Sequence, residues 1–70
     1  MKTIYDIQQL LKRFGSYIYL GDRMADLELM EIELKELYSS KLIETADFQS
    51  GIMLLRHEIR LEREKKTNRN

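Results

Sequence analysis

Apolar residues recur along this chain in three separate helical stripes divided by short polar or glycine-containing breaks. Ile4, Ile7, Leu11 and Phe14 repeat at steps of three, four and three, the spacing of one side of an amphipathic helix. Thr3 stands ahead of them as an N-cap, and Asp6 three residues later approximates a capping box. Gly15 follows Phe14, where a left-handed residue closes a helix, so the first helix is predicted over residues 3–14. The stretch Ser16-Tyr17-Ile18-Tyr19-Leu20 has β-branched and aromatic character, but with no second strand to pair with it reads as an extended connector. Gly21 makes a turn and Asp22 an N-cap, opening a second helix over 23–39 with the stripe Met24, Leu27, Met30, Leu34, Leu37 and Tyr38. Ser39-Ser40-Lys41 ends it, Leu42-Ile43 connects, and a third helix over 45–63 carries Phe48, Ile52, Leu55 and Ile59.

The expected fold is an all-α, compact three-helix bundle formed by residues 1–63, followed by a flexible charged tail, 64–70. Gly51 is the one interruption inside a stripe-bearing helix, costing ~1 kcal/mol relative to alanine, which packing around Leu54 and Leu55 is expected to outweigh. On the second and third helices apolar residues also fall off the main stripes. Leu29 and Ile32 on the second helix are either covered by the first helix and the connector or left spare. Leu54 and Leu61 on the third suggest a seam for self-association or a partner helix.

Composition supports the helical reading. The chain has no cysteine or proline and three glycines in 70 residues, which excludes disulfide and thiolate-zinc staples and favours long unbroken helices. Every hydrophobic run is interrupted well short of the ~18 residues of a membrane span, and no signal-peptide pattern opens the chain. A cytoplasmic location, with no membrane partner, is the expectation.

Charge changes the picture more. The twelve bases and twelve acids cancel, but not locally. Residues 1–21 hold three bases against one acid, residues 22–47 three against eight, and residues 48–70 six against three. Basic ends flank an acidic middle. On the third helix Arg56, Arg60 and Arg63 form one ridge. Lys12 and Arg13 close the first helix, Lys12 sharing a face with Tyr5, Gln8 and Gln9. Tyr17 and Tyr19 alternate with apolar residues in the connector, and Arg23 stands at its mouth. Cations interleaved with aromatic rings are what single-stranded RNA or DNA needs: charge for phosphates, π-faces for unstacked bases. The bland reading is a solvated face with helical ion pairs such as Arg60 with Glu64 or Glu62 with Lys66.

No catalytic or metal-binding constellation is visible. His57-Glu58 lacks the second histidine of a zincin motif, and the glycines stand too far apart for a phosphate loop. Asp26, Glu28, Glu31 and Glu36 read as the wet face of the second helix. An enzyme, a cofactor and a metal are not expected.

The segments Tyr5-Asp6, Gln8-Gln9-Leu10-Leu11-Lys12, Gly15, Gly21-Asp22-Arg23, Glu33-Leu34-Lys35-Glu36-Leu37-Tyr38 and Leu42-Ile43-Glu44 run in the order and spacing of one family. Over about residues 3 to 60 the chain resembles the YqgQ-like family, small cytosolic proteins of Gram-positive, low-GC bacteria. The resemblance implies a three-helix bundle and a role in binding single-stranded nucleic acid. It carries over no binding residue. The candidate set therefore rests on the surfaces above: Tyr5, Lys12, Arg13, Tyr17, Tyr19, Arg23, Arg56, Arg60 and Arg63. The rival expectation is a protein–protein or oligomerisation adaptor that uses the spare apolar faces of the second and third helices.

Overall fold

The computed structural model describes the backbone of residues 1–67 and the side chains of residues 1–65. It contains three helices, α1 (Ile4–Arg13), α2 (Arg23–Ser39) and α3 (Thr45–Thr67), and so is an all-α three-helix bundle. The third helix runs four residues past the expected end, taking 64–67 out of the tail that the sequence suggested. The remainder of that tail, 68–70, lies outside the described residues.

Local chemistry sets the helix ends. Thr3 Oγ1 accepts the Asp6 N–H at 3.2 Å, and the Asp6 carboxylate accepts the N–H groups of Lys2 at 2.9 Å and Thr3 at 3.2 Å, a complete capping box. Those two backbone donors hold the Asp6 carboxyl below its ordinary value of 3.8. At the other end of α1, Ser16 N–H reaches Leu11 O at 2.9 Å and Gly15 N–H reaches Lys12 O at 3.0 Å, with Gly15 at φ 90°. This is a Schellman closure. The end of α2 repeats it: Leu42 N–H bonds Leu37 O at 2.9 Å and Lys41 N–H bonds Tyr38 O at 3.0 Å. The left-handed position there, at φ 61°, is held by Lys41 rather than glycine.

α2 and α3 form an antiparallel hairpin, and α1 lies across one side of it. Tyr38 stacks on Phe48 with ring centroids 4.1 Å apart, Leu34 meets Gly51, and Glu31 faces Arg56, which together fix the register of the hairpin. The core is Ile7, Leu10 and Leu11 of α1, Leu27, Met30 and Leu34 of α2, and Ile52, Leu55 and Ile59 of α3. Two expectations about the stripes need correction. Phe14 is 42% exposed, because α1 ends at Arg13 and Phe14 turns away as its C-cap; Leu10 takes its place in the core. Leu54 is not spare, since it packs half-buried against the core, and Leu29 is half-buried too; Ile32 is exposed and Leu61 partly so.

Gly51 explains itself at the crossing. A Cβ built there would stand 2.7 Å from Leu34 Cδ2 and 3.0 Å from Met1 Cε. Leu34 is fully buried, so its methyl group has nowhere to move without disturbing the core. Gly51→Ala is expected to destabilise the protein by about 1 kcal/mol, since overpacking at ~1–3 kcal/mol exceeds the helix-propensity gain. A urea unfolding titration checks the sign, and a stabilised variant would refute the crowding. Lys41→Gly acts in the opposite sense. Removing a side chain from a left-handed position is expected to raise unfolding free energy by about 1 kcal/mol in the same titration.

Candidate nucleic-acid interface

α1 turns Ile7, Leu10 and Leu11 inward, so its opposite side presents Tyr5, Gln8, Gln9 and Lys12. The connector then doubles back past that side. It leaves α1 through Gly15 and enters α2 through Gly21 at φ 81°, two positive-φ residues that allow reversals without steric strain. Ile18 packs against the core, which throws its neighbours Tyr17 and Tyr19 outward. Asp26 fastens the far end: its Oδ1 accepts the Leu20 N–H at 2.6 Å, and the residue is buried.

The result is a cleft of about 230 Å³ lined by Tyr5, Gln8, Gln9, Lys12, Tyr17, Ile18 and Tyr19. Tyr17 and Tyr19 remain 77% and 75% exposed, so their ring faces are open to solvent. Lys12 Nζ sits 5.8 Å from the centroid of the Tyr17 ring, within cation–π range. One cation, two amides and three tyrosines thus converge on one depression. Its volume is below the roughly 300–1,000 Å³ of pockets for drug-sized ligands, and suits a single flat ring.

The other candidates are elsewhere. Arg13 lines notches at the opposite edge of α1, beside Asp6, Glu44 and Asp47. Arg23 bridges to Glu58 of α3 at 3.5 Å. Arg56 approaches Glu31 of α2 at 4.0 Å, and Glu31 also pairs with Lys35 at 3.0 Å. Arg60 donates to His57 Nδ1 at 3.2 Å, an i, i+3 contact in place of the anticipated pairing with Glu64. Glu62 meets Lys65 at 3.9 Å; its anticipated partner, the Lys66 side chain, lies outside the described residues. Arg60 lies about 180° around α3 from Gly51, where Met1 and the α1 side pack. Arg56, Arg60 and the exposed Arg63 therefore occupy the side of the hairpin away from α1, and the expected basic and aromatic surface divides into two.

Asp26 departs from its expected place. Taken as part of a solvated acidic face, it instead anchors the connector. The signal was its phase: Asp26 is i−4 from buried Met30, on a different arc from Glu28 and Glu36. Among the described residues no group of three histidine or acidic side chains is placed to hold a metal ion, and no helix is long and apolar enough to cross a membrane.

A protein-family model described as YqgQ-like matches residues 1–61. The chain is also 48% identical over 59 residues to the protein named "Uncharacterized protein YqgQ" of Bacillus subtilis (strain 168), an overlap of 84% of this chain and 83% of that one. With the match running from α1 through most of α3, the chain belongs to the YqgQ-like family.

Proposed function

We propose that this protein is a non-enzymatic, cytoplasmic module that binds single-stranded RNA or DNA, with the cleft between α1 and the connector as its seat. The observation that carries the reading is the convergence of Tyr5, Tyr17, Tyr19 and Lys12 with two glutamine amides around one ring-sized depression. An unstacked base lies against the Tyr17 or Tyr19 face, Gln8 and Gln9 offer donors and acceptors to its edge, and Lys12 meets the adjoining phosphate. Duplex bases, stacked within the helix, cannot enter such a cleft without unpairing. The arginines of α3 stand outside this site.

Fluorescence anisotropy with a short labelled single-stranded oligonucleotide, at low and high salt, tests the proposal. Tyr17→Ala and Tyr19→Ala are each expected to lower affinity by about 1–3 kcal/mol. Lys12→Ala should weaken binding and flatten the salt dependence, by roughly 0.7 in the log–log slope for one lost phosphate contact on a single strand. Arg60→Ala should leave affinity nearly unchanged. Absence of binding at low salt removes the function. Loss at Arg60 with no loss at the tyrosines moves the site to α3.

The connector's anchor gives a second expectation. Asp26→Ala removes the acceptor of the Leu20 N–H and is expected to cost about 1.5–3 kcal/mol of stability, the range for hydrogen bonds to charged groups. The Leu20 amide should exchange with deuterium much faster, and oligonucleotide affinity should fall although Asp26 lines no part of the cleft. Unchanged exchange at Leu20 would show that the connector is held by other means.

A further inference from the structure

The hairpin side away from α1 has a composition that the cleft does not use. Its α2 half presents Glu28, Glu31, Ile32 and Lys35, the last paired with Glu31 at 3.0 Å, and so is net acidic; its α3 half presents Met53, Arg56 and Arg60. Ile32 is 61% exposed and Met53 72% exposed, both large apolar side chains in solvent near the middle of their helices. The register fixed by Leu34 with Gly51 and Glu31 with Arg56 sets these residues at matching heights. Ile32 is level with Met53 to within about a residue, and Glu28 is within side-chain reach of the level of Arg60.

We propose that this side is an isologous interface, and that its occupant is a second copy of the chain. A two-fold axis parallel to the helices lays the α2 of one copy antiparallel over the α3 of the other. Rotation about that axis preserves height. Ile32 therefore meets the level of Met53 from the second copy, Glu31 that of Arg56, and Glu28 that of Arg60. Each contact occurs twice, as two-fold symmetry requires. The perpendicular two-fold axis in the same plane would instead place Arg56 and Arg60 of α3 on their like and net-acidic α2 on its like, which repulsion disfavours, most strongly between the arginines. Charge complementarity thus selects both the partner and the orientation, a four-helix arrangement of two hairpins with each α1 outermost. Zero net charge removes long-range repulsion between copies. With only two exposed large apolar side chains, Ile32 and Met53, among its charges, the face offers little apolar area, so the dimer is weak and reversible. Both clefts, lying on α1, stay open in it.

Sedimentation velocity across a wide concentration range, on the full chain freed of nucleic acid, tests this. The wild type should pass from monomer to dimer as concentration rises, and high salt should shift the transition upward. Glu28→Arg and Arg60→Glu, each alone, set like charges against each other twice and should weaken the dimer roughly tenfold. The double variant exchanges the charges and should recover near wild-type association, a rescue that a purely structural role does not produce. Met53→Asp, at a solvent-facing position where folding is insensitive, should also dissociate the dimer; thermal melts followed by circular dichroism establish that each variant is folded. A strictly monomeric wild type overturns the proposal, as does a dimer indifferent to the single variants or not rescued in the double. Oligonucleotide affinity is expected to be the same above and below the dimer transition, which keeps this test independent of the cleft.

Discussion

Everything in this small bundle depends on how closely α2 and α3 approach at Gly51. A 70-residue chain buries little surface for its length, so its core must be dense where it exists. Without a Cβ at Gly51, Leu34 settles directly against the α3 backbone and Met1 covers the same spot. That approach aligns the Tyr38–Phe48 stack at one end of the hairpin and lets Leu27, Met30, Leu55 and Ile59 mesh along the rest. The cost of glycine inside a helix is local and modest, while the register it permits is global. α1 then needs only three inward residues, Ile7, Leu10 and Leu11, to seal the remaining side.

Sealing the core with so narrow a stripe leaves most of α1 free, and the connector exploits that freedom. A connector that simply joined α1 to α2 would need no aromatic residues. Here it is pinned at its middle by Ile18 and at its end by Asp26, with positive-φ glycines at both hinges. These pins fix the backbone of Tyr19, which lies between them, and of Tyr17, which adjoins Ile18. In the proposed binding of a base, an ordered connector lowers the entropy lost on capture, since less of the protein has to be gathered at that moment. Asp26 thus bears on the cleft without lining it, by holding the Leu20 N–H at the connector's end.

The fold was largely legible because each helix announces its own period and its own boundary. Thr3 with Asp6, Gly15, and Asp22 are chemical statements about where a helix begins or ends, and the structure uses each in the expected way. Two ends were less legible for physical reasons. Lys41 occupies a left-handed site normally given to glycine, so the closure of α2 leaves no glycine signature. α3 continues to Thr67 through charged residues whose i, i+3 pairing, as in Glu62 with Lys65, supports a helix without any apolar stripe. The site was legible only in its parts. Residue types identified the cleft's members, but helical phase within one element does not say which elements share a side. Sequence alone thus leaves the nine candidates in one group, whereas the position of α1 across the hairpin separates Lys12 from Arg60. Asp26 shows the same limit, because an acid on a half-buried arc looks like any other acid until the backbone it serves is placed beside it.

That separation gives the uneven charge its meaning. Were all the basic residues on one side, the acidic α2 would lie behind them as a neutralising backing, and the molecule would be a simple dipole. Instead α2 and α3 share a side on which acids and bases face outward together. The Glu31–Arg56 approach across that side is long, at 4.0 Å, and leaves both groups partly in water, with capacity for further partners. α1 carries a smaller basic element into an aromatic setting on the opposite side. A surface of mixed sign favours a partner of mixed sign, whereas a lone cation among rings favours an anion bearing flat bases. One bundle with zero net charge thus offers two chemically distinct surfaces, and the helix crossing at Gly51 keeps them apart.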